Sequence, residues 1–261
     1  MWLIYVFFII FGLVVGSFLN VVILRLKKNE SILKKRSYCP NCRKKLTWYE
    51  LIPLVSFLIQ KGKCRKCGKK ISLQYPLVEF FTGLIFLLIA VYYFGFTLYG
   101  LINFCYLLLI SCFLIIIFVY DLKYYLVADK IVYSAIVITF LYDIYLMLVS
   151  GELWILTTSI AIAFGVGGFF LLLVLVSKER WMGMGDVKIG VLMGLFFGPF
   201  QFLTAFILAF ASGALVSIVL LILKKKNLKS EIPFGPFLTG ATFITVLWGN
   251  YLLNWYLNIF S

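Results

Sequence analysis

The chain has 261 residues, 64% of them hydrophobic and 13% charged, with 24 Lys and Arg against 10 Asp and Glu and no His. A soluble domain carries about a quarter charged and about half apolar residues, so this composition excludes one. The absence of histidine excludes His-based catalysis and His metal ligands, and no alternating apolar pattern marks a membrane β-barrel.

Apolar stretches long enough for about 20 helical residues recur along the chain. They predict an all-α polytopic membrane protein with about eight transmembrane helices. Residues 2–24 form the first. Its positive charge follows the apolar segment and no small-x-small site ends it, so it reads as a retained span, not a cleaved signal. Gly12 and Gly16 have the spacing of close helix packing, with Asn20 either inside that contact or facing a site at the membrane surface. Residues 25–76 change character, holding 15 of the 24 basic residues and four of the six cysteines. Within them Leu51–Ile59 is apolar but too short to span. It serves either as hydrophobic support for a small metal-bound fold or as a segment on the membrane surface.

Spans resume at 77–94, 101–119, 131–149, 152–176, 187–199, 201–223 and 237–258. The sixth is short. Gly190, Gly194 and Gly198 recur along it every four residues and leave one face as bare backbone. Helix packing is the expected use of that face, with docking of an extended substrate backbone as the alternative.

Positive charge gives the orientation. The loops after spans one, three, five and seven hold 15, 2, 3 and 4 basic residues, counting Lys188 with the fifth loop, and these are all 24. That side is expected to be cytoplasmic, in a multi-pass protein of the cell (inner or plasma) membrane with both termini external. The +14 net charge is then a topology signal with affinity for the lipid bilayer, and nucleic acid is not an expected partner.

Cys39-Pro40-Asn41-Cys42 and Cys64-Arg65-Lys66-Cys67 are two CxxC pairs in a short internal repeat, CPNCRKKL against CRKCGKKI. Two such turns complete a four-thiolate tetrahedral shell, the pattern of a structural Zn2+ site with no open position for catalysis. Surrounding Lys and Arg are expected to favour thiolate. Two redox dithiols are the competing reading, disfavoured on a reducing cytoplasmic side. Cys105 and Cys112 read as ordinary membrane-buried residues.

Of the ten acids, Asp143 and Glu152 fall toward the external side. Glu30, Glu50, Glu179 and Glu231 fall in or beside cytoplasmic loops, where a solvated charge is expected. Asp121, Asp129 and Asp186 all lie at cytoplasmic span ends. Asp121 closes the apolar run Phe113–Tyr120, Asp186 opens a helix after a Gly-x-Gly turn, and Asp129 is expected to N-cap the next helix. Asp121 and Asp186 are therefore the candidate pair. Two carboxylates held together share a proton, so one can accept a proton from water while the other polarises a carbonyl. Spacing alone leaves a proton-coupled transporter open. The lysines of Asp121-Leu-Lys123 and Asp186-Val-Lys188 either modulate the pair or serve only topology.

Gly183-Met-Gly-Asp186 resembles the GxGD class of membrane aspartic proteases. A longer series resembles the bacterial type IV prepilin peptidases (leader peptidase/N-methyltransferases): Gly16-Ser-Phe-Leu-Asn-Val-Val, both CxxC pairs, Ile52-Pro-Leu-Val-Ser56, Gly62-Lys-Cys64, Ile71-Ser, Tyr75-Pro-Leu-Val-Glu79, Asp121-Leu, and Ile232-Pro-Phe-Gly-Pro236. The resemblance implies that Asp121 and Asp186 cleave a short basic leader from type IV prepilins or pseudopilins at the cytoplasmic face. It also implies methylation of the new N-terminus from S-adenosylmethionine, with Gly62, Lys63 and Glu79 at motif positions near the methyl-donor site. The alternative within the family is a peptidase alone, with a structural or substrate-docking zinc loop. Where the family often has Asn before Ile-Pro-Leu, this chain has Glu50 nearby. The implied domains are 1–76, the first helix plus a cytoplasmic zinc loop and N-methyltransferase region, and 77–261, the membrane aspartic peptidase. Oligomeric state is left open.

Overall fold

The computed structural model describes residues 2–31, 36–224 and 232–260, so Glu231 and three of the last loop's basic residues lie outside the described residues. Among these residues the chain is helical: α1 (Trp2–Lys28), α2 (Val55–Ile59), α3 (Gln74–Tyr93), α4 (Leu98–Tyr124), α5 (Asp129–Ser150), α6 (Leu153–Ser177), α7 (Met184–Phe196), α8 (Pro199–Ile222) and α9 (Gly235–Phe260). The only strand-like pairings among them are two isolated antiparallel bridges, Tyr38 with Lys45 and Lys63 with Lys70. The eight predicted spans correspond to α1 and α3–α9. Helices α1, α3, α4, α5, α6 and α8 are long and apolar enough to cross a membrane. At 13 residues α7 is too short. Helix α9 has 26 residues but dilutes its apolar ones with Thr239, Thr242, Thr245 and Asn250. Gly and Pro punctuate the helices. Gly151 ends α5 in the left-handed region at φ 71°, and Pro199 opens α8 where its missing N–H is not needed.

The chain forms two compact units, Met1–Ile116 and Ile117–Ser261. In the first, α1 packs along α3. A Cβ on Gly12 would lie 2.8 Å from Gly83 Cα, and one on Gly16 2.8 Å from Glu79 Cα, so the two backbones touch. Asn20 belongs to this contact. Its Nδ2 donates to the Tyr75 carbonyl at 3.1 Å, and Gln74 Nε2 donates to its Oδ1 at 3.3 Å. A buried amide thus fastens the start of α3 onto α1.

In the second unit α7 packs against α5, α6 and α9, and α8 packs against α9. The glycine face of α7 lies on α6. A Cβ at Gly190 would strike the Phe170 ring at 2.5 Å, and one at Gly194 would meet Ala163 Cα at 2.7 Å. That face is filled by α6, as expected of helix packing, and it leaves no room at Gly190 or Gly194 for the alternative of an extended substrate backbone. Gly198 is different: it has open space and caps α8.

Candidate active site and metal site

Asp121 is buried in the last turn of α4. The Gly235 N–H donates to its carboxylate. Gly235 is the first residue of α9, and the free N–H groups and dipole of a helix start favour an anion there. A Cβ on Gly235 would lie 2.5 Å from Asp121 Oδ2 and 3.1 Å from Ile189 Cδ1. Only a glycine lets the N–H come this close. Its role could not be read from the resembling segment Ile232–Pro236. The usable signal was a glycine directly before a proline at a helix start.

Asp186 is buried in the first turn of α7. Its Oδ2 accepts the N–H of Gly183, the N-cap, at 3.2 Å. Asp121 and Asp186 are near enough for their charges to repel. The expected Gly-x-Gly turn is corrected. Gly183 is extended at φ −89° and Gly185 already lies inside the helix. What Gly185 supplies is room, because a Cβ there would overlap Val127 in the segment after α4.

Asp129 does not cap α5. It is the helix's first residue, behind Ala128, and makes no side-chain cap bond. Instead its Oδ1 accepts from Lys188 Nζ at 2.6 Å in an exposed ion pair. Lys188 also lies over the Tyr133 ring, so both contacts tie its ammonium to α5.

In the first unit the four Sγ atoms of Cys39, Cys42, Cys64 and Cys67 all lie within 4.8 Å of one another, with Cys42 and Cys64 4.0 Å apart. A tetrahedral zinc shell with Zn–S near 2.3 Å has S–S edges of about 3.8 Å, so this donor set fits the ion. The repeat in sequence is a repeat in structure. Cys39 and Cys64 N–H donate to the Lys44 and Lys69 carbonyls, and Arg43 and Gly68 N–H donate back to the Cys39 and Cys64 carbonyls, all at 2.9 Å. Arg43 and Gly68 occupy equivalent left-handed positions at φ 55° and 69°.

Backbone donors, not the basic side chains expected from sequence, favour thiolate here. The Lys69 N–H and then the Asn41 amide bring Cys67 down to about 6. The Cys67 and Lys66 N–H groups lower Cys64. At Cys42 the Lys44 N–H works in the same direction, but burial and the three neighbouring thiols outweigh it and leave the thiol at about 11. A bound dication would hold all four as thiolates.

Glu50, expected to be a solvated charge, is buried. It takes Lys44 Nζ at 2.8 Å and the Thr47 N–H and hydroxyl at 3.0 and 2.9 Å. Burial alone would raise this carboxyl. Lys44 and Thr47 overcome it and bring it from 4.5 down to about 2. Glu79 accepts the Leu54 N–H at 2.9 Å and bonds the Ser17 hydroxyl. Gly62 sits at φ 66° under the Phe57 ring, and Lys63 is exposed. Gly62 and Glu79 thus have partners within the first unit.

Two family models match in sequence order: a bacterial peptidase A24 N-terminal domain over residues 10–93, and the type IV leader peptidase family over residues 108–218. The chain is similar to proteins named prepilin leader peptidase/N-methyltransferase. The relative from Legionella pneumophila is 28% identical over 98% of this chain and 95% of its own. That from Bacillus subtilis is 30% identical over 96% of each, and that from Pseudomonas aeruginosa is 31% identical over 95% and 92%. No solved structure gives a significant match. With end-to-end similarity at this level, and the second family model running from α4 through α8, the chain belongs to the type IV leader peptidase family.

Proposed function

We propose that this membrane peptidase removes the basic leader of type IV prepilins or pseudopilins at the cytoplasmic face, using Asp121 and Asp186 to activate water. The observation that carries the reading is the pair itself: two buried carboxylates in one compact unit, each holding a backbone N–H and each within reach of the other's charge. Two such groups share one proton. The ionised carboxylate takes a proton from water as its oxygen attacks the scissile carbonyl. The protonated one gives its proton to the carbonyl oxygen. As the tetrahedral diol collapses, the carboxylate left by that transfer takes a proton from a diol hydroxyl, the C–N bond breaks, and the other carboxyl gives its proton to the departing amine. The basic side of the positive-inside count supports a cytoplasmic site, because both aspartates lie at span ends on that side.

We also propose methylation of the new N-terminal amine, supported by the relatives' names. S-adenosylmethionine, when bound, supplies an electrophilic methyl group. The zinc cage is assigned a structural role, since four thiolates leave no position open for substrate.

The test is cleavage of a purified prepilin by the detergent-solubilised full chain, with Asp121→Asn and Asp186→Asn assayed separately. Full cleavage by either variant removes that aspartate from the mechanism. A photo-crosslinker at the prepilin cleavage site should reach the Asp121 end of α4 and the Asp186 end of α7. Labelling confined to the opposite helix ends overturns the cytoplasmic assignment. Methyl transfer to already cleaved pilin separates the bifunctional enzyme from a peptidase alone.

A further inference from the structure

We propose that residues 48–59 form an interfacial anchor, laying their apolar side chains into the headgroup and acyl boundary of an anionic bilayer. The sequence left this apolar run with two uses, and the structure disfavours the first. Helix α2 buries none of its five residues. Trp48 is 78% exposed, Leu58 73% and Ile59 65%, with Leu51, Ile52 and Val55 also exposed. Of its aromatic side chains Phe57 turns inward, onto Gly62. An apolar surface of this kind marks a contact with a partner or with lipid.

The depth of the segment selects lipid. Leu54 N–H is held at 2.9 Å by Glu79, the sixth residue of the membrane-length helix α3. Five steps along a helix carry Glu79 about 7.5 Å in from the start of α3. Glu79 also lies against Gly16 of α1, nine residues before Arg25, the first cation of that helix. That places the tether about 13 Å short of the first positive charge. Interfacial segments bury their apolar faces about 5–10 Å into the same boundary.

The tether is built against backbone preference, because Leu54 has φ 58° and ψ −49° and the Val55 N–H closes a γ-turn on the Pro53 carbonyl at 2.6 Å. A leucine persists in that conformation only where its surroundings hold it. Charge agrees with depth. Lys45, Lys61 and Lys63 are exposed on either side of the segment. Glu50, the only acid between residues 41 and 73, is neutralised by Lys44. Cations flanking an apolar segment favour anionic headgroups. This surface does not depend on the proposed peptidase activity.

The test places a benzophenone amino acid singly at Trp48, Leu58 or Ile59 of the full chain, with exposed Lys66 as the control. The protein is reconstituted in bilayers of phosphatidylglycerol and phosphatidylethanolamine, irradiated and analysed by mass spectrometry. Lipid adducts at the three positions should exceed those at Lys66 by about fivefold or more, and should favour phosphatidylglycerol. Equal labelling at Lys66, or crosslinks to a second copy or to added prepilin in place of lipid, overturns the proposal. A variant carrying both L58E and I59E should retain its zinc, showing an intact loop, and should lose lipid adducts at Trp48. Unchanged adducts in that variant also overturn it.

Discussion

Gly235 donates its backbone N–H to the carboxylate of Asp121, and any side chain at Gly235 would begin 2.5 Å from Asp121 Oδ2. The contact joins the end of α4 to the start of α9 and fixes where one proposed catalytic carboxylate points.

Gly235→Ala is therefore expected to displace the Asp121 carboxylate without removing it. Misplacement of a reacting group by about 1 Å costs on the order of 100-fold in rate. Prepilin cleavage should fall about 10- to 100-fold in kcat with KM little changed, while the variant still purifies as a helical protein. A kcat within about twofold of the parent would show that this contact does not set the geometry.

Asp121→Asn and Asp186→Asn should each abolish cleavage to the limit of detection, a loss of about 1000-fold or more for removal of a general acid or base. Asp129→Asn should retain most activity, because Asp129 is exposed and paired with Lys188. Full-length substrate and product resolved by gel give the comparison. Equal loss in all three variants would argue against a special role for the buried pair.

Gly194→Ala places a methyl group against the Ala163 backbone, which has no flexible end to move aside. Overpacking of this kind costs about 1–3 kcal/mol. The thermal transition in detergent should fall by several degrees, whereas Gly168→Ala, inside α6 and facing open space, should not lower it. Equal effects at the two sites would remove α7–α6 contact as the explanation.

The zinc loop carries two separable predictions. The protein should hold about one zinc per chain by elemental analysis, and Cys64→Ser should lose it, leaving residues 36–73 open to protease. Arg43→Gly should increase resistance to chelators, since Arg43 adopts a left-handed conformation that its structural equivalent Gly68 accepts without a Cβ. Gly68→Ala should reduce that resistance.

Glu50 gives a pH dependence with a definite sign. Its folded-state value, about 2, lies below its ordinary 4.5. Its contribution to loop stability is fully present above pH 4.5 and is lost as pH falls through the folded value near 2. Glu50→Gln should remove that component, so the difference in loop hydrogen exchange between parent and variant should shrink steadily on acidification from pH 5 to pH 3. A difference that grows over this range would contradict the assignment.

Much of this protein was legible in the chain. Apolar runs of membrane length fixed the helices, because few other structures satisfy the backbone in lipid. The CxxC repeat identified the cysteine cage, because two adjacent turns with the same hydrogen bonds present four thiols to one point. The costly carboxylates at helix ends made Asp121 and Asp186 the candidates, and both are buried. What spacing could not give was the partner of each residue. Asp129 had the position of a cap and became half of an ion pair. Glu50 had the setting of a solvated loop charge and became a buried anchor. The glycines of the Gly183–Asp186 stretch resembled a turn, yet Gly185 is there to make room for Val127. Local sequence specifies period, length and charge, whereas a close approach between distant segments exists only after packing. For that reason only the tertiary structure decided that Gly235 stands at Asp121, and that α6 covers the bare face of α7.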